Sequence, residues 1–311
     1  MKAIRISQFG DSDVMALQDV HVPQAGPGEV LVRVVVAGTN PVDYKIRQGE
    51  FPEITERDLP LTLGREVTGV VEQLGSGVTG FEVGDRVFGM IGADGSFAEY
   101  VAVAAKNLAK IPASLSWEKA AGLPLAGHTA WQALVTHGSL EAGQKVLIHG
   151  GTGGVGHLAV QFARIKGAKV YATASTDSLT FLKSLGVDRA IDYKKERFED
   201  ICQDFDLVID LIGGETQARS WQVLGEGGRL VSTLEMPDAQ HPDAATKTGT
   251  RFMAEPNGVE LTQIAGLVEA DDVSVVIAKV FDLPQAAEAL DFLASEHVHG
   301  KVVLRVSGDD L

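Results

Sequence analysis

The chain has 311 residues, 45% hydrophobic and 22% charged, with a formal charge of −15 and one cysteine, Cys202. That length exceeds what a single hydrophobic core usually supports, so two domains are expected. The acidic balance argues against a nucleic-acid partner, which demands a basic footprint, and a lone thiol forms no internal disulfide, as fits a reducing cytoplasm.

The first nine residues carry Lys2 and Arg5 but no apolar signal core. No run approaches the ~18 apolar residues of a membrane span. Met1–Ile6 opens with a weak alternation. Glu29–Ala37 (EVLVRVVVA) and Glu66–Leu74 (EVTGVVEQL) are β-branched strand signals, the second closed by Gly75-Ser76-Gly77. Arg86–Met90 and Phe97–Val103 follow as further short strands. Strands punctuated this often by Gly and Pro predict a barrel-like, β-rich unit.

Around Ser116 the texture changes. Ser116 can cap a helix, although Lys119 stands where a capping box would place an acid. Beyond it, strands and amphipathic helices alternate. The predicted strands are Lys145–His149, Lys169–Ala174, Arg189–Asp192, Leu207–Leu211, Arg229–Thr233 and Thr250–Ala254. The predicted helices are Val155–Lys166, Leu179–Leu185 and Glu215–Leu224. This alternation predicts a six-stranded parallel sheet with helices on both faces. Glu235–Gly249 is polar, with two prolines and no period, and is expected to be a mobile loop. Asp282–His297 reads as helix. Lys301–Val306 (KVVLRV) is a closing strand expected to return to the first domain. The expected division is 1–121 with 256–311, around a central domain of 122–255.

The chemistry starts at Gly150-Gly151-Thr152-Gly153-Gly154-Val155-Gly156, directly after the Lys145–His149 strand. Gly151, Gly153 and Gly156 satisfy G-x-G-x-x-G between a strand and a helix, with a second strand about 20 residues on. Glycine lets the backbone approach a pyrophosphate, and the helix N-terminus offers N–H groups and a positive dipole end. Thr152, Gly154 and Val155 share that loop as cofactor contacts. The next strand ends Ala174-Ser175-Thr176, with hydroxyls where an NAD site usually has a carboxylate, leaving room for the 2′-phosphate of NADP(H). Asp177, two residues on, either reaches the ribose or caps the helix that follows.

Five motifs in order now resemble one family: NPVDYKIRQG, VGDRVFG, LPLAGHTAWQAL, the run VLIHGGTGGVGHLAVQFARIKGAKVYATAS, and GKVVLRV. They cover almost the whole chain. It resembles the zinc-independent medium-chain dehydrogenase/reductase superfamily, in its quinone oxidoreductase and enone (alkenal) oxidoreductase branch. The resemblance implies an α/β protein: a GroES-like catalytic domain with a Rossmann domain, and an active site in the cleft between them. It implies that Tyr193 contacts the 2′-phosphate, that Lys301 is a basic residue near the cofactor, and that Thr129 faces the nicotinamide end.

Zinc-using relatives take a Cys and a His at positions that here read Asn40 and Arg65. A guanidinium does not ligate a cation, and one cysteine builds no four-Cys structural site. Metal independence is therefore expected, with an Asp43–Arg65 charge pair in the vacated space. His149 is expected to be a packed structural residue. Without a Lewis acid, the accessible chemistry is hydride transfer to an acceptor that is already activated, a quinone or an enone. Asn40, Tyr44 and Lys45 are the candidate catalytic residues, Lys45 matching a lysine of the enone-reductase branch. The alternatives are an acyl-CoA double-bond reductase of the same fold and a non-catalytic NADPH-binding sensor. A cytoplasmic homodimer is expected, pairing along the last strand of the central sheet.

Overall fold

The computed structural model describes residues 1–92 and 95–307. Its first elements are β1 (Lys2–Ile6), β2 (Met15–Asp19), β3 (Glu29–Gly38), α1 (Pro41–Gln48), β4 (Leu61–Thr62), β5 (Glu66–Leu74), β6 (Arg86–Met90), β7 (Tyr100–Ala104), β8 (Leu108–Lys110), α2 (Trp117–Ala121) and α3 (Pro124–Gln132). Then come β9 (Lys145–Ile148), α4 (Gly156–Ile165), β10 (Lys169–Ala174), α5 (Leu179–Ser184), β11 (Arg189–Asp192), β12 (Phe205–Asp210), α6 (Gly214–Ser220), β13 (Leu224–Ser232) and β14 (Thr248–Arg251). The chain closes with α7 (Gly258–Glu269), β15 (Ile277–Asp282), α8 (Ala286–Ser295) and β16 (Lys301–Arg305). It divides into one unit of Met1–Leu125, Pro256–Asp271 and Val275–Leu311, and a second of Ala126–Glu255 with Asp272–Ser274.

The first unit is the β-rich one. Its larger sheet runs β15-β16-β3-β5-β6-β8, with β7 pairing β3, and a small sheet runs β2-β1-β4. The β-branched run of β3 explains its central place: Val30, Val32, Val34, Val35 and Val36 are all buried, as stiff branched side chains on a pleated surface favour. Val30, Val32 and Val34 pack with Val67, Val87, Phe97 and Leu304 in one apolar core, while Val35 and Val36 join a smaller cluster with Ala121 and Val303. β16 pairs antiparallel with β3 through Val303↔Gly38 and Arg305↔Val36. The Asn-Pro pair at 40–41 opens α1 rather than a plain turn. Pro41 occupies its first turn, and the Asp43 side chain accepts a hydrogen bond from the Asn40 backbone N–H at 2.7 Å.

The second unit holds a six-stranded, wholly parallel sheet in the order β11-β10-β9-β12-β13-β14 among the described residues. That order places a topological switch point between β9 and β12, where chains of this kind bind ligands beyond the strand ends. Two predicted details differ. The last strand is Thr248–Arg251 rather than Thr250–Ala254: it pairs through its backbone, with Arg229↔Thr248 in register, and the apolar Phe252 and Met253 follow it. The polar Glu235–Gly249 stretch is also anchored. Ala244 is buried in the core beside Trp221, and Lys247 Nζ donates to the Trp221 carbonyl at 2.6 Å. No helix among the described residues is long and apolar enough to cross a membrane.

Candidate active site and cofactor loop

In the second unit, β9 runs into the glycine loop and α4 begins at Gly156. Each glycine has its own reason. A Cβ on Gly156 would collide with the Gly150 carbonyl, and one on Gly151 would meet Ala172 Cβ at 2.8 Å and Leu182 Cδ1 at 2.9 Å. These two let the helix pack against the strands. Gly153 is different: a Cβ there would meet only the Gly150 carbonyl oxygen, at 3.8 Å. No protein atom closes off the backbone at that position, so a group can approach it closely. With the positive end of a ten-residue helix behind it, the loop fits a pyrophosphate. Thr152, Gly154 and Val155 are partly exposed on the same loop.

The loop is held from beneath. Gly151 N–H donates to the Thr173 carbonyl at 3.0 Å, and Gly150 N–H to Thr173 Oγ1 at 3.3 Å. His149 bonds Thr173 Oγ1 at 3.3 Å and Ser220 Oγ at 3.0 Å, and burial pushes its imidazole down to about 4. It is a neutral strut. Asp210, also wholly buried, accepts from the Ile212 and Gly213 N–H groups, Gln217 Nε2 and Ser232 Oγ. It fixes the turn beyond β12, whose Ile212 is exposed beside Gly150.

At the ends of β10 and β11 the predicted donors are partly engaged. Ser175 is buried, with its hydroxyl 2.9 Å from that of Ser178. Thr176 Oγ1 donates to Asp192 Oδ2 at 2.7 Å. Tyr193 is half exposed. Asp177 is exposed and supplies no capping bond to α5, whose N-cap is Ser178. Thr129 lies buried on α3.

In the first unit, Asn40 belongs to a buried charge network. Lys301 Nζ lies 2.6 Å from Glu66 Oε1, 2.5 Å from Asn40 Oδ1 and 2.9 Å from the Thr39 carbonyl. Asn40 Nδ2 donates to Glu66 Oε1 at 2.8 Å, and Leu125 N–H to Glu66 Oε2 at 2.7 Å. Both ends of the ion pair are buried, at 3% and 0% side-chain exposure. An ammonium thus sits among oxygens, and Lys301, expected beside the cofactor, has its charge enclosed by its own unit. Asn40 is 3% exposed, and both ends of its amide are engaged.

Asp43 and Arg65, expected to pair, make no direct hydrogen bond, although each still feels the other's charge. Arg65 donates to the Gly92 carbonyl, while the wholly buried Asp43 keeps Oδ2 on the Asn40 N–H and leaves Oδ1 without a partner. Burial is the main cause that pushes the Asp43 carboxyl up to about 7. Tyr44 packs partly buried against the core, and desolvation raises its phenol above the usual range, so it keeps its proton. Lys45 is partly exposed on the next position of α1. Cys202 is buried and its thiol is pushed up to about 12 by burial, far from a reactive thiolate. Among the described residues no group of three His, Cys, Asp or Glu side chains is arranged to hold a metal. Glu66 and Asp192 were not expected at the site. Their sequence signals were a carboxylate opening an apolar strand and one closing another.

Two family models match the chain: an alcohol dehydrogenase GroES-like domain over residues 26–113 and a zinc-binding dehydrogenase over 185–304. The 2-methylene-furan-3-one reductase of Solanum lycopersicum is 40% identical, across 98% of this chain and 79% of its own length. The chain belongs to the medium-chain dehydrogenase/reductase superfamily, in its quinone and alkenal/one oxidoreductase branch. The chloroplastic NADPH-dependent alkenal/one oxidoreductase of Arabidopsis thaliana is 39% identical over the same shares. The solved quinone oxidoreductase of Coxiella burnetii superposes with a TM-score of 0.93 at 36% identity, covering 99% of both chains.

Proposed function

We propose that this protein is a zinc-free reductase that uses NADPH to reduce quinones or α,β-unsaturated carbonyls. The observation that carries it is the glycine loop between β9 and α4, with its backbone open at Gly153 ahead of the helix N-terminus, in a family whose relatives bear alkenal/one and quinone oxidoreductase names. When bound, the cofactor supplies a hydride to the electron-poor carbon of the acceptor. The chain's own part is to orient the acceptor and to stabilise or protonate the oxygen that gains charge. Tyr44, still protonated, and Lys45 stand next to each other on α1 as candidates for that task, with Lys45 favoured as the source of positive field. Asn40 serves by holding the start of α1 in place. Thr129, Thr152, Gly154, Val155, Ser175, Thr176 and Tyr193 are assigned to cofactor binding. Lys301 is assigned to support of that site through Asn40 and Glu66.

The test is NADPH oxidation against a panel of quinones and enones. Turnover of either class supports the reading. Binding of NADPH without turnover favours the sensor alternative, and turnover confined to acyl-CoA substrates favours the enoyl-thioester one. We further propose a homodimer joined along the outer edge of β14, because that strand ends the sheet with one paired neighbour. A monomeric mass by sedimentation at micromolar concentration would overturn it. A cytoplasmic location is proposed on the single, buried thiol, and fractionation of the native cell tests it.

A further inference from the structure

We infer that Lys195 recognises the cofactor's 2′-phosphate and that Asp192 is its resting partner, so that nucleotide choice turns on one lysine changing partners. This deepens the proposed NADPH dependence and rests on it. In a dinucleotide fold the ribose lies beyond the end of the second strand. Here that end, Ala174, stands opposite Asp192 in the parallel register of β10 and β11, and Tyr193 N–H donates to the Ala174 carbonyl at 3.2 Å. The loop that follows β11 therefore borders the ribose position.

A carboxylate at such a strand end ordinarily accepts the 2′-hydroxyl of NAD and repels a 2′-phosphate. Asp192 is a carboxylate in that neighbourhood, but it faces inward. Its side chain is 5% exposed. Oδ2 accepts from Thr176 Oγ1 at 2.7 Å, and Oδ1 accepts from Lys194 N–H at 3.1 Å. These bonds, the one from Thr176 foremost, hold the carboxyl below its usual range. Asp192 is thus ionised and engaged by its own chain, and it does not serve as a ribose acceptor.

A phosphate at this position needs a cation beside the half-exposed Tyr193 phenol already assigned to it. The Ser175 and Thr176 hydroxyls already bond to Ser178 and Asp192. Of the neighbouring guanidiniums, Arg189 is committed to Glu196 at 2.7 Å, and Arg197 lies further along the loop between Glu199 at 3.4 Å and Asp200 at 3.9 Å. Lys195 differs. Its ammonium lies 3.6 Å from Asp192 Oδ2, longer than the ~2.8 Å of a well-formed charge-assisted bond, on a side chain that is 66% exposed. If Lys195 leaves, Asp192 keeps its bonds from Thr176 and Lys194, and the contact given up is a 3.6 Å pair whose lysine is 66% exposed, the kind that contributes little. A 2′-phosphate, with a charge of about −1.5 to −2, is the stronger partner. NADH offers only a neutral 2′-hydroxyl in its place.

The test is calorimetric binding of NADPH, NADH, 2′,5′-ADP and 5′-ADP to the parent, Lys195→Met and Lys194→Met. Lys195→Met is expected to weaken NADPH and 2′,5′-ADP about 10- to 100-fold, the range of one charge-assisted hydrogen bond. NADH and 5′-ADP should bind within about twofold of the parent, and the salt dependence of NADPH binding should flatten. Equal loss for NADH and NADPH would mean that Lys195 acts on the fold or on the pyrophosphate, and it overturns the inference. Unchanged NADPH binding, or a phosphate-specific loss only in Lys194→Met, overturns it as well. A parent that binds neither nucleotide removes the functional reading itself, an outcome distinct from the other three.

Discussion

Replacing Lys301 with Met keeps the length of the side chain and removes its charge. The ammonium now meets three oxygens at 2.5 to 2.9 Å. Without it, the Glu66 carboxylate keeps Asn40 Nδ2 and Leu125 N–H but no cation, at 0% exposure. Removing one member of a buried pair typically costs ~3–5 kcal/mol, because the stranded charge remains desolvated. For a domain of ordinary size this corresponds to a fall in Tm of roughly 6–20 °C. Glu66→Gln alone strands the opposite charge and should cost a similar amount. The double variant Lys301→Met/Glu66→Gln carries no buried charge and should recover most of the loss, giving a coupling energy of about 2 kcal/mol or more in a double-mutant cycle. Scanning calorimetry of the four proteins measures it, following each transition separately. A single Lys301→Met variant that melts within about 2 °C of the parent, or single losses that add in the double variant, would refute the reasoning.

Asp43 predicts a pH effect. Its folded carboxyl, pushed up to about 7 chiefly by burial, lies above the ~4 of an unfolded Asp. It therefore adds stability below about pH 4 that is lost as pH rises through 7. Asp43→Asn should flatten denaturation midpoints across that window, and an unchanged slope would count against it. Gly153→Ala should leave Tm near the parent's but weaken NADPH at least about tenfold, as one lost close contact to the anion would, whereas Gly156→Ala should unfold the loop because its Cβ would strike the Gly150 carbonyl; equal Tm values for the two would contradict this. Lys45→Ala should lower kcat on enones by ~10²–10³ with little change in NADPH Kd. If it and Tyr44→Phe both keep full turnover, solvent is the proton source. Treatment with a chelator should leave activity and Tm unchanged, and stoichiometric zinc by elemental analysis would oppose that.

Local chemistry was legible in the sequence. The glycine loop announces itself because its requirements are met within seven residues, and β3, β5 and β10 because β-branched runs have few other homes. The start of α1 was equally legible in principle: Asn40, Pro41 and Asp43 form a cap, first-turn proline and reaching acid, yet Asn-Pro also reads as a turn. What could not be read was partnership across long separations. Lys301 opens an alternating strand and looks like a ligand-facing base until Glu66, 235 residues earlier, claims it. Thr176 reads as a phosphate donor, and nothing in the sequence shows that its hydroxyl also donates to Asp192. The edge strand β14 was displaced because apolar Phe252 and Met253 drew the reading past Arg251, while the strand itself is held by backbone bonds that leave no side-chain pattern.

The separation between Lys301 and Glu66 bears on the order in which the chain can fold during synthesis. All six strands of the parallel sheet lie within residues 145–251, so that sheet can assemble as its stretch leaves the ribosome, as contiguous units do. The β-rich unit cannot finish then. Glu66 has been made long before its cation, and β3 awaits β16 on one edge. Until the last few residues emerge, a nascent carboxylate and an open strand edge remain in water together. A charge beside an open strand edge opposes its pairing with another strand, and in the folded protein the same residue is fully buried against Lys301.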